Sequence, residues 1–131
     1  MAAFNRLAVY QQMEAIGMIP VFYHQDLKTA CRIVSACAAG GASVIEFTNR
    51  GDFALDIFGE LIRFANREHP QIILGIGSIV DAPTAALYIA NGANFVVSPA
   101  FDEATARLCN RRRIPYSPGC ATVTEIQRAD E

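Results

Sequence analysis

Five short apolar runs, each followed by an amphipathic stretch, recur along this chain at a spacing of roughly 20 to 28 residues. They begin near residues 18, 43, 71, 94 and 114. A strand followed by a helix at that period builds parallel β-α units, because parallel strands need a crossover long enough to hold a helix. The run at 71–78 is continuously apolar, the habit of strands buried on both faces. Helix starts are marked by Asp26, Asp52, Asp81 and Asp102 as N-caps and by a capping box at Thr122 and Glu125. Residues 3 to 16 read as a leading helix with Leu7, Ala8, Met13, Ala15 and Ile16 on its apolar side, stopped by Gly17. The order is therefore one helix, four β-α units, a fifth strand and the start of a helix. Two architectures satisfy that order. Five strands complete an open doubly wound sheet, and they also form part of a (βα)8 barrel, which needs about 200 residues or more. The pattern alone does not choose.

Composition narrows the class. The chain has 131 residues, 52% of them hydrophobic and 18% charged, with a net charge of -2. That is globular and carries no general attraction to nucleic acid or to an anionic membrane. No apolar run approaches the ~20 residues of a membrane span, and no signal peptide is recognisable at the start. Cys31, Cys37, Cys109 and Cys120 have neither disulfide-framework nor zinc spacing and read as reduced thiols of a cytoplasmic protein. No metal site is expected. Lys28 is the sole lysine among eleven basic residues, and it falls off the apolar stripe of its helix, where a lysine is solvated and protonated.

The chemistry concentrates at 44–50, Val44-Ile45-Glu46-Phe47-Thr48-Asn49-Arg50. Alternation along a strand puts Val44, Glu46, Thr48 and Arg50 on one face and Ile45, Phe47 and Asn49 on the other. Glu46 and Arg50 would lie roughly 13 Å apart along a straight strand, enough for a small substrate between them. A polar pair at the carboxyl end of a buried strand is where α/β enzymes place their chemistry. A buried carboxylate needs a partner, with Arg50 through water and Arg32 as the candidates. Gly75-x-Gly77 lacks the third glycine and the later acidic residue of a dinucleotide loop, and reads as strand-end glycines that admit a ligand. Arg111 to Arg113 read as a cationic last turn facing the helix dipole, and His24 and His69 as loop residues.

The segments Ile19-Pro20-Val21, 39–42, 44–50, Gly75-Ile76-Gly77-Ser78, 92–95, Ser98-Pro99 and 114–120 together resemble the 2-keto-3-deoxy-6-phosphogluconate (KDPG) aldolases, known also as 4-hydroxy-2-oxoglutarate aldolases. That resemblance implies a (βα)8 barrel, usually trimeric. It implies a class I lyase that cleaves KDPG to pyruvate and glyceraldehyde 3-phosphate, or 4-hydroxy-2-oxoglutarate to pyruvate and glyoxylate, through a lysine Schiff base and without a cofactor. Carried over by position, Glu46 resembles the general acid/base. Arg50 and Ser78 resemble the groups that hold the pyruvyl carboxylate and nearby oxygens. Pro99 and Gly119 resemble the positions that shape the pocket floor. The family more often has threonine at Ser78, often arginine at the Tyr23-His24 position and often glycine at Ala100. Its Schiff-base lysine lies on strand six, so residues 1–131 correspond to about its N-terminal three-fifths and are expected to form one partial-barrel domain. That chain alone is expected to be inactive. The partner expected is a small 2-keto acid, and no nucleic acid or membrane. The competing expectation is a non-catalytic half-barrel that assembles through its open sheet edges.

Overall fold

The computed structural model describes residues 2–131. The elements run α1 (Arg6–Ile16), β1 (Val21–Phe22), α2 (Leu27–Ala39), β2 (Val44–Thr48), α3 (Ala54–Glu68), β3 (Ile73–Gly77), α4 (Ala82–Ala90), β4 (Val96–Ser98), α5 (Glu103–Arg112), β5 (Tyr116–Pro118) and α6 (Val123–Asp130). The five strands make one sheet in the order β1-β2-β3-β4-β5, every pair parallel. A doubly wound sheet would reverse direction at an internal strand. This one never does, so the strands turn one way, as in a (βα)8 barrel. The strands are shorter than the apolar runs that announce them, and β4 and β5 lie toward the carboxyl ends of theirs.

The two faces of the sheet differ. Ile45, Phe47, Leu74, Ile76 and Val96 pack with Ala30, Val34, Phe58, Leu61, Ile62 and Ala85 of the helices in the main core. Aromatic rings stitch that layer together, with Phe22, Phe58 and Tyr23 all within 6.2 Å, centroid to centroid, of Phe47. The opposite, inner face is filled at its lower end by Val9, Val44, Ile73 and Phe95, with Phe4, Met13, Ile16 and Ile19 around them. There α1 closes the amino ends of the strands. Its buried side is Val9, flanked by half-buried Met13 and Ile16, whereas Leu7 is 65% exposed and Ala15 faces solvent. The expected stripe through Leu7 and Ala15 is thus displaced, because α1 lies across strand ends and meets them along a narrow line.

Three helices open identically. Asp26, Asp81 and Asp102 each accept from the backbone N–H and the hydroxyl of the threonine three residues on. The capping box of Thr122 and Glu125 forms as expected. Asp52 does not cap α3: the N-cap is Phe53, in the left-handed region at φ 59° and without a side-chain cap bond. The chain leaves β2 through a tight turn, and Asp52 falls one residue too early. His24 and His69 sit in loops, His69 within 2.8 Å of the Ser35 hydroxyl.

Candidate active site at the carboxyl ends of β2 and β3

Glu46 is the third of the five residues of β2, opposite Gly75 of β3 and Val21 of β1. Its backbone N–H donates to Pro20 O at 2.9 Å, which fixes the edge strand to β2 although Pro20 has no N–H of its own. Val44, two residues before Glu46, belongs to the inner cluster, so Glu46 shares the inner face, one pleat above the apolar plug. Gly75 and Gly77 leave that face of β3 bare. A Cβ on Gly75 would lie 2.5 Å from Cγ of Phe95, and one on Gly77 would lie 2.5 Å from Cδ of Glu46. The carboxyl thus lies against the backbone of the next strand. Burial pushes its pKa above the ordinary carboxylate value, and the positive charge of Arg50 acts in the opposite, weaker sense. Arg32 faces away, lining an outer groove with Lys28 and Phe64. Of the two cations considered for Glu46, Arg50 is the one it feels.

Beyond Thr48 the strand ends and the chain turns. Asn49 N–H donates to Gly77 O at 2.9 Å, and Asn49 Oδ1 accepts from the Tyr88 hydroxyl at 2.8 Å. Burial pushes the Tyr88 phenol up to about 12, so it stays a donor. Those two bonds anchor the turn and release Arg50 to the mouth, where its Nε donates to Ser78 Oγ at 3.2 Å. Arg50 makes no ion pair among the described residues. With Nε committed to Ser78, the terminal nitrogens of its guanidinium remain free for a planar anion. Ser78 holds φ 60°, a conformation that non-glycine residues rarely keep without a local reason. Asn49 and Tyr88 carried no signal in the residue pattern. Gly75 and Gly77 were expected to admit a ligand; instead the Phe95 ring and the Glu46 carboxyl take the space their missing side chains leave.

Pro99 and Gly119 form a second group at the same edge of the sheet. Gly119 N–H donates to Ser98 O at 2.8 Å, and a Cβ on Gly119 would lie 2.8 Å from the Pro99 carbonyl carbon. The ends of β4 and β5 therefore touch backbone to backbone, which only glycine allows. Tyr23 turns its ring onto Phe47 in the helix layer, 5.6 Å between centroids, and its hydroxyl against Gly51, away from the inner face. Lys28 is exposed in the first turn of α2, on the outer surface. Among the described residues no cluster of three His, Cys, Asp or Glu side chains is placed to hold a metal, and no helix is long and apolar enough to cross a membrane.

Known proteins resemble this chain in sequence and fold. The family model for KDPG and KHG aldolase matches residues 9–131. The chain is 30% identical to a 2-dehydro-3-deoxy-phosphogluconate aldolase of Treponema pallidum, covering 95% of this chain and 58% of that protein. It is 33% identical to the enzyme of the same name from Dickeya dadantii, covering 88% of this chain and 53% of that one. Among solved structures, the KDPG aldolase of Legionella pneumophila superposes with a TM-score of 0.76 at 29% identity, over 85% of this chain and 52% of that one. The chain thus spans little more than half the length of these relatives. A family match over nearly every residue, carried by a sheet wound in the same single direction, makes this chain a member of the KDPG and KHG aldolase family.

Proposed function

We propose that residues 1–131 form one partial-barrel unit carrying the proton-transfer and carboxylate-binding side of a class I 2-keto acid aldolase site. The substrates are KDPG, 4-hydroxy-2-oxoglutarate or both. The observation that carries the proposal is Glu46, a half-buried carboxyl on the inner face of the sheet, with Arg50 and Ser78 joined above it at the strand ends. The Legionella relative has been solved with pyruvate as a covalent carbinolamine, which is the chemistry this arrangement would serve. Arg50 and Ser78 hold the pyruvyl carboxylate. Glu46, its pKa raised toward the working range, moves protons among the substrate's C4 hydroxyl, the carbinolamine and the enamine. Pro99 and Gly119 shape the floor. The attacking amine is supplied from outside these residues, because Lys28 is solvent-exposed on the outer surface and a nucleophilic amine must be neutral and beside the carbonyl. The complete enzyme works in the cytoplasm as a homo-oligomer, a trimer by resemblance.

Trapping with pyruvate and borohydride, read by mass, tests this. Residues 1–131 gain no reduced pyruvyl adduct. A polypeptide that carries them together with the remaining strands gains one on a lysine beyond residue 131. In that polypeptide Glu46→Gln lowers turnover about 10²- to 10⁴-fold. An adduct on Lys28, or full turnover in Glu46→Gln, overturns the assignment. A second reading has its own support. Val21 is 53% exposed on the outer strand β1, which among the described residues pairs on one side only, so a non-catalytic half-barrel could assemble edge to edge.

A further inference from the structure

Glycine in a strand is usually explained by a backbone angle that other residues avoid. Gly77 is not such a case: its φ lies outside the positive range that Gly17, Gly41 and Gly92 adopt. It is a regular member of β3, paired with Thr48. What is unusual is the space above it. A Cβ there would overlap Oε1 of Glu46 and lie 2.5 Å from its Cδ and 3.1 Å from its Cγ. The carboxyl occupies the volume that any other side chain at 77 would take. Gly75, one pleat lower, is bare for a different neighbour, the ring of Phe95. One glycine thus serves the apolar plug and the other serves the acid.

We propose that Gly77 is the positioning residue for Glu46: its bare Cα is the berth in which the carboxyl lies against the sheet, and a side chain at 77 drives that carboxyl off the wall toward the open mouth. The purpose of the berth rests on the acid/base reading above; its existence does not. A free glutamate side chain has several rotamers, and confining it to one costs conformational entropy. A berth of fixed shape singles out one arrangement before any substrate arrives, which is how a proton-transfer group is held in reach of its target. The berth also controls charge. The neighbouring strand positions Val21, Gly75 and Gly77 carry no titratable group, and Arg50 is the one charge that acts on Glu46. Against the backbone the carboxyl is shielded from water. Displaced outward it is hydrated and still within the field of Arg50.

The test is a carbon-13 titration of the Glu46 carboxyl in residues 1–131, compared among the parent, Gly77→Ala and Gly75→Ala. The parent carboxyl titrates above the ordinary glutamate range. Gly77→Ala brings its midpoint down to that range or below. Gly75→Ala displaces Phe95 and lowers stability but leaves the Glu46 midpoint in place. An unchanged midpoint in Gly77→Ala, or an equal fall in Gly75→Ala, overturns the proposal. Should Gly77→Ala fail to fold, the double variant Glu46→Ala/Gly77→Ala decides. Removing the acid empties the berth, so the double variant recovers folding, and a double variant as damaged as the single one refutes the idea. The borohydride trap reports the chemistry and this cycle reports the berth, so the two readings fail separately.

Discussion

Glu46 is held where an ionised carboxyl is disfavoured, and this has a sign in stability. Its pKa in the folded chain lies above the unfolded value, because burial outweighs the pull of Arg50. The folded state therefore holds the proton more tightly than the unfolded state. The associated stability is fully present below the unfolded pKa and is lost as pH rises through the folded one. Glu46→Gln should accordingly raise the urea midpoint near neutral pH relative to the parent, with the difference shrinking toward pH 4. A pH-independent difference would contradict that linkage. Arg50→Met removes the one favourable charge, so the Glu46 midpoint should move further up in a carbon-13 titration. At this scale the sequence was informative in part. Glu46, Arg50 and Ser78 stood out through alternation and resemblance. The rest was hidden because it depends on what lies across the gap. Nothing along the chain tells Gly77 that its neighbour's carboxyl fills its missing Cβ, or ties Asn49 to Tyr88 thirty-nine residues on.

The helices obey local chemistry more faithfully than the strands. Asp102 accepts from the N–H and hydroxyl of Thr105, so Asp102→Ala should cost about 1 kcal/mol in chemical denaturation. Asp52→Ala should change stability by less than about 0.5 kcal/mol, since Asp52 is exposed and Phe53 holds the cap position of α3. Equal losses for the two variants would contradict the assigned caps. These starts were readable because a cap is a contact between residues three apart. The buried side of α1 was not, because it is chosen by the strand ends it covers. Its neighbours Val44, Ile73 and Phe95 come from three later parts of the chain. Strand limits were blurred for a related reason: an apolar run records burial, whereas a strand records pairing.

The winding of the sheet belongs to the whole molecule. A period of strand and helix is the same in an open sheet and in a barrel, and only the placement of each new strand separates them. Here each strand is laid beside the previous one on the same side, leaving β1 and β5 each with an unpaired edge among the described residues. Such edges template association. Sedimentation of residues 1–131 should show concentration-dependent self-association, weakened by Val21→Lys on the β1 edge. A clean monomer in the parent at high concentration would argue against edge-driven assembly. The same orderly placement bears on how the polypeptide acquires its shape. No strand waits for a distant partner, since each hydrogen-bonds only with the strands just before and just after it in the chain. Each pairing closes a loop of one helix and its connections, a modest entropic cost. A ribosome releasing this polypeptide would therefore let each strand from β2 onward meet a partner that has already emerged, whereas α1 would wait for Val44, Ile73 and Phe95. The nook for Glu46 would be complete once Gly77 has cleared the exit tunnel.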